Sequence, residues 1–433
     1  MIELTLIIFH VLLITSVFSI NPLVLNKKLL YQNKNTLAQN ISLNFLITAN
    51  IVLVLSFFNL KLTEITSFYL IYLFLLFFFF FKNRLFKLSK KNINLLFDFF
   101  VIILISTIIF LDISNKLILS WDSEKFWLYK KLSFYNNYSI ENLNNFTRPH
   151  YPFLGGLIGS FFWKLSFISN EYASRLFLGL VYVLSIYLLI ENLKISRLKK
   201  LIILLLFILI TYDYFKLFNG NQEILIFSFI CFALNSCYKI KNRENIFLNL
   251  CIFFLSCNLL IWTKQEAYFY VFFLLFTLFF VLKLRIKQKI YFLFFLFFLI
   301  FLRVVVYKIY GFEISLNKDV ANELSFQIFI ESIKIERVLV VLKYFIFSFF
   351  QNLYLLFGLV LILINGFLKN KNFYINFYLL INIMFIFSAY LLLNDAQHPH
   401  EFQVKTGINR LIFNISPIII LLFVEMVNSK KNN

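Results

Sequence analysis

The sequence predicts an all-α fold: a polytopic transmembrane helical bundle of about thirteen spans, with a large outer loop carrying interfacial helices. Three observations carry that prediction. Hydrophobic residues fill 61% of the 433 positions and charged residues only 14%, where a soluble domain carries about 25% charged. Runs such as 68–81 and 201–210 are apolar on every side, and they repeatedly approach the roughly 20 residues that cross a hydrocarbon layer. The basic residues fall in short clusters between those runs, as in cytoplasmic loops. Lipid offers no partner to an unpaired backbone group, so the spans must be helices. No barrel-type alternating strands are present.

Treating each basic cluster as inside fixes the order of spans. Span 1 (2–20) enters and is followed by Lys27, Lys28 and Lys34. It has no basic start, which marks it as an uncleaved helix with its N-terminus outside. Span 2 (41–60) leaves, and span 3 (65–81) returns to Lys82, Arg84, Lys87, Lys90 and Lys91. Span 4 (93–111) leaves to a long polar loop. The apolar stretch 151–167 then decides the topology. If it crossed, span 5 (175–191) would carry Lys194, Arg197, Lys199 and Lys200 to the outside. The stretch is short, begins with Pro152 and holds Gly155, Gly156 and Gly159. It therefore reads as interfacial or re-entrant, and the outer loop extends over 112–174.

The remaining spans alternate without conflict. Span 6 covers 201–218, span 7 returns to Lys239, Lys241 and Arg243, and span 8 covers 246–262. Span 9 returns to Lys283, Arg285, Lys287 and Lys289, and span 10 covers 290–309. Span 11 (338–367) is long enough to include an interfacial helix before a true span. Spans 12 (373–393) and 13 (411–428) complete the bundle. Three segments result: N-terminal helices (1–92), a core (93–310), and C-terminal helices with outer loops (311–433).

The net charge of +20 is accounted for by the clusters, so no nucleic-acid partner is expected. The four cysteines, Cys231, Cys237, Cys251 and Cys257, fall within spans. They read as small buried hydrophobes ahead of a metal or redox site.

This topology gathers the unusual polar groups on the outer side. Trp121-Asp122-Ser123-Glu124-Lys125-Phe126-Trp127 and Arg148-Pro149-His150-Tyr151-Pro152 share the long loop. Asn219-Gly220-Asn221-Gln222-Glu223 and Thr263-Lys264-Gln265-Glu266 form two further outer turns. His398, His400 and Arg410 flank the last outer loop. Each has a plain reading beside a functional one. Glu223 at a helix start suits the dipole, Lys264 can snorkel from a helix end, and Arg410 can anchor at the headgroups. The aromatic residues Trp121, Trp127 and Tyr129 are either belt anchors or a platform for a sugar ring. Carboxylates in two separate outer segments, with cations near the membrane surface, favour a shared site.

In order and sidedness these segments resemble the C-type superfamily of integral-membrane glycosyltransferases. The nearest branch holds aminoarabinose transferases, protein O-mannosyltransferases and uncharacterised bacterial relatives. The family's acidic motif in the first outer loop is matched by Trp121-Asp122, with Trp127 and Lys130 following. Its His/Tyr-Pro segment before an interfacial helix is matched by His150-Tyr151-Pro152, and its Arg-Leu at a span start by Arg175-Leu176. Its second acid is matched by Glu223, its Thr-Lys pair by Thr263-Lys264, and its basic residue before a proline-bearing span by Arg410-Leu411 and Pro417. The resemblance covers residues 112–425. It departs in having Glu223 where relatives usually carry Asp, and in three preceding spans.

The resemblance implies sugar transfer, with inversion, from a polyprenyl-phosphate sugar donor to a glycan or lipid acceptor outside the cytoplasm (the periplasm in a Gram-negative bacterium). Membrane lipids are the other expected partners. Asp122 would be the base, with Glu124 in reserve. Trp121, Trp127, Lys130, His150, Tyr151, Lys264, Arg410 and His400 would bind substrate. Glu223 would either hold a divalent metal ion or orient the acceptor. The competing class is a transporter or lipid flippase of the cell envelope, which expects ionisable residues within spans and internal repeats.

Overall fold

The computed structural model describes residues 2–19, 37–82, 91–115, 117, 119–146, 148–212, 218–282, 286–312, 333–367, 373–392 and 399–429. Among them every regular element is helical. Four helices form the N-terminal part: α1 (Ile2–Ser19), α2 (Leu37–Ser56), α3 (Leu62–Lys82) and α4 (Lys91–Asn115). A π-helical turn (Ser123–Trp127), α5 (Leu128–Tyr135), a 3-10 turn (Ile140–Asn145) and α6 (Leu154–Leu165) follow. The middle of the chain supplies α7 (Ala173–Ile190), α8 (Arg197–Tyr212), α9 (Glu223–Lys241), α10 (Ile246–Ile261), α11 (Ala267–Leu282) and α12 (Ile286–Ile309). The last five are α13 (Ile335–Gln351), α14 (Leu353–Phe367), α15 (Phe373–Leu391), α16 (His400–Ile415) and α17 (Pro417–Ser429).

Seven helices among the described residues are long and apolar enough to cross a membrane, or eight if the bent pair α13–α14 counts as one span. The chain is therefore a multi-pass, all-α membrane protein. A helix stands at each expected span, but several fall short of the length expected of one. α10 and α11 have 16 residues each, about 24 Å at 1.5 Å per residue. The clusters at residues 27–34 and 83–90 lie outside the described residues.

α9 is the hub. It packs on α7, α10, α11, α16 and α17, and its residues from Glu223 to Ile240 are buried. Its charges follow the helix dipole, with Glu223 in the first turn and Lys239 and Lys241 in the last. Nineteen residues make it about 28 Å long, which matches a hydrocarbon layer of about 30 Å. Its two ends therefore mark the two polar ends of the bundle. Aromatic rings fill much of the interior between helices. Phe45 of α2 lies 5.9–6.5 Å from Phe18, Phe162, Phe177 and Phe229, which come from four other helices.

The stretch 151–167 holds a helix shorter than a membrane span. α6 has 12 residues, about 18 Å of helix, and its side chains from Leu154 to Trp163 are buried. Its glycines allow that close seating. A Cβ on Gly155 would fall 1.4 Å from Oε1 of Gln222, and one on Gly156 would fall 3.1 Å from Cβ of Lys130. Asp122 and Glu223 accordingly belong to the same end of the bundle.

Candidate pocket at one end of the bundle

The segment before α5 is stitched to the turn before α9. Ser120 donates its backbone N–H to the Asn219 carbonyl at 3.0 Å. The Ser120 and Ser123 hydroxyls donate to Oδ1 of Asn221 at 2.6 and 2.9 Å. Gly220 makes the turn possible: its φ is +93°, and a Cβ there would meet Leu119 and Ser123 at 3.0 Å. These contacts bring Asp122 beside the start of α9, where Glu223 stands.

A cavity of about 270 Å³ opens at this junction, at the small end for ligand pockets. Its aromatic wall is Trp121, Phe126, Trp127 and Tyr151, with Trp127 stacked on Tyr151 at 6.3 Å and Phe126 at 5.6 Å from the same ring. Its charged wall is Asp122, Arg148, Lys264, Glu266 and Arg410. Arg410 is ion-paired to Asp122. Lys264 lies 2.6 Å from Glu223 and 3.5 Å from Glu266. Arg410 is also within electrostatic reach of Glu223, so acids and cations alternate around the cavity. Burial opposes charge on Lys264, but the carboxylates of Glu223 and Glu266 outweigh it and hold its ammonium above the ordinary lysine range.

Of the residues singled out from sequence, Trp121, Asp122, Trp127, Tyr151, Lys264 and Arg410 meet in this cavity. Glu223 lies behind it through Lys264, with 2% of its side chain exposed. Lys130 stands behind the aromatic wall and outside the lining. It is fully buried, and its ammonium donates to the Tyr151 carbonyl at 2.5 Å and the Arg148 carbonyl at 3.3 Å. Burial, then the nearby Arg303 charge, pushes its pKa down to about 7. His150 packs edge-on against Tyr151 at 5.0 Å and is not among the lining residues.

Glu124 is exposed and also outside the lining. His400 points elsewhere, its Nε2 lying 2.8 Å from the Tyr390 carbonyl. The expected loop up to residue 410 is helical from His400 onward, so Arg410 projects from within α16 rather than from a loop. His398 lies outside the described residues. Cys231, Cys237 and Cys257 are buried, Cys251 is partly buried, and all four are free.

Arg148 is placed by the sequence in the outer loop with His150 and Tyr151 but is assigned no role. It has a left-handed backbone (φ 55°), its guanidinium lies over Phe126 and Tyr151 at 5.0 and 5.3 Å, and its Nη1 donates to the Tyr151 hydroxyl at 2.5 Å. Unlike Lys264 and Arg410, it has no carboxylate partner among the described residues. A cation beside His-Tyr-Pro was visible in sequence, but its lack of an acid became visible only in three dimensions.

A metal centre does not fit these residues. Glu223 accepts from Lys264 and Asp122 from Arg410. Among the described residues no three His, Cys, Asp or Glu side chains group to hold a metal ion. Compared with protein-family models, characterised proteins and solved structures, the chain matches none. Fold and pocket together define a multi-pass membrane protein with a polar, aromatic-walled cavity at one end.

Proposed function

We propose that the protein is a membrane glycosyltransferase that moves a sugar from a polyprenyl-phosphate donor to an acceptor hydroxyl outside the cytoplasm, with inversion. The observation that supports this most is the meeting of Asp122, Arg148, Lys264 and Arg410 around one cavity walled by Trp127 and Tyr151. A sugar ring stacks on such rings, and its phosphate pairs with a cation that has no acid of its own.

Asp122 accepts the proton of the acceptor hydroxyl as its oxygen bonds to the anomeric carbon. The bond from that carbon to the phosphate oxygen breaks, and its electron pair leaves on the phosphate. A positioned base contributes about 10²–10⁴-fold. Arg410 orients the Asp122 carboxylate through their ion pair. Arg148 stabilises the charge that grows on the leaving phosphate. Lys264 is already balanced by Glu223 and Glu266, so it fixes the floor of the cavity.

The transporter reading draws on His10, which is buried in α1 with neither ring nitrogen hydrogen-bonded among the described residues. Membranes containing the protein, given radiolabelled polyprenyl-phosphate sugars, test the choice. Transfer to an endogenous or added acceptor that disappears in Asp122→Asn supports the enzyme. Movement of the intact lipid-linked sugar between leaflets without transfer would replace it by the transporter.

A further inference from the structure

α13 meets three different surroundings around its circumference. At 100° per residue, Leu342, Ile335, Ile346, Leu339 and Phe350 fall within an arc of about 80°, and all five are exposed. Next in angle come Lys343 and Glu336, also exposed, with Phe347 and Gln351 beyond them. The remaining side turns inward, with Val341 and Ser348 buried against the bundle. It packs on α16, where Lys343 pairs with Glu401 at 3.0 Å and Ser348 donates to Asn409 at 2.5 Å.

No single medium suits the two exposed arcs. The Lys343–Glu401 pair is more than half exposed on each side, and an exposed ion pair belongs in water. Five large apolar side chains in a row belong in lipid. The helix then turns through 101° into α14, whose exposed Leu353, Val360 and Leu363 continue the apolar surface. Only a helix lying along the boundary, with α14 dropping into the hydrocarbon, satisfies both arcs.

We propose that α13 lies in the plane of the bilayer surface, with its apolar stripe in the acyl boundary and its charged edge in water. Its partner is the lipid surface itself. Because Ser348 is bonded to Asn409, the neighbour of Arg410, the pocket sits at the depth of the lipid headgroups. This placement holds whether or not the pocket transfers sugar.

Single cysteines at Leu339, Ile346 and Phe350, in a chain whose four native cysteines are replaced, can be labelled with an environment-sensitive fluorophore. If the replaced chain is not produced, the native cysteines stay and the signal of the labelled parent chain is subtracted. In phosphatidylcholine vesicles carrying a doxyl quencher near the headgroup or deep in the acyl chain, all three positions should be quenched equally, and more by the shallow quencher. A membrane-crossing helix would instead give a ramp, since Leu339 and Phe350 would differ by about 16 Å in depth. That ramp, or no quenching at any of the three, overturns the proposal.

Discussion

The two polar ends of the bundle are built from the same materials and differ in what they leave unsatisfied. At the end opposite the pocket, Arg197 pairs with Asp98 at 2.6 Å. Glu425 accepts from Lys241 at 2.9 Å and from Tyr374 at 2.7 Å. Asn428 closes the set, donating to the Asn192 carbonyl and the Tyr238 hydroxyl. At the pocket end, Asp122–Arg410 and Glu223–Lys264 likewise tie segments distant in sequence. Ion pairs between helices are thus a fastening used at both ends and are not in themselves the sign of a site. The pocket end adds a cavity, a stacked aromatic wall, and Arg148, which has no carboxylate partner among the described residues.

The largest effect expected from breaking this contrast is on chemistry. Asp122→Asn keeps the size of the side chain and removes the base, so transfer should fall by about 10²–10⁴-fold while expression and membrane insertion persist. Next comes Glu223→Gln, which strands the largely buried Lys264 with Glu266 alone. Removing one partner of a buried pair costs about 3–5 kcal/mol, read as a large drop in the detergent melting temperature. Arg148→Gln should weaken binding of an isoprenyl phosphate by the worth of a charged hydrogen bond, about 1.5–3 kcal/mol, and leave binding of the matching isoprenol unchanged. At the opposite end, Lys241→Met removes a partly exposed pair worth about 0.2–1 kcal/mol, so its melting temperature should barely move.

Lys130 gives a pH signature. Its folded pKa of about 7 lies below the ordinary lysine value, so between pH 7 and that value the unfolded chain holds more protons. Stability must therefore rise with pH across this window. Wild type should gain melting temperature relative to Lys130→Met between pH 7 and pH 9, and a flat difference would contradict the burial of an amine held only by backbone carbonyls.

Much of this contrast was legible in the sequence. The basic clusters alone placed Asp122, Glu223, Lys264 and Arg410 on one side, and the Pro152-led, glycine-bearing stretch was read as too short to cross, as α6 is. What escaped were properties set by tertiary partners. Arg410 is expected in a loop, but Pro399 and Glu401 start α16 at His400, a signal that a reading by apolar runs passes over. Lys130 followed the acidic motif and looked like a ligand, but α6 packs over it through Gly156. His400 was grouped with the site by position, and its ring turns to the Tyr390 carbonyl.

The most direct measurement compares Asp122→Asn with Asp98→Asn in one transfer assay with radiolabelled polyprenyl-phosphate sugar. Each substitution removes the charge of an acid that pairs with an arginine, one beside the cavity and one at the far end. Transfer should be lost in Asp122→Asn and kept in Asp98→Asn if Asp122 is the base. Full transfer by Asp122→Asn, or equal loss in both, would contradict that role.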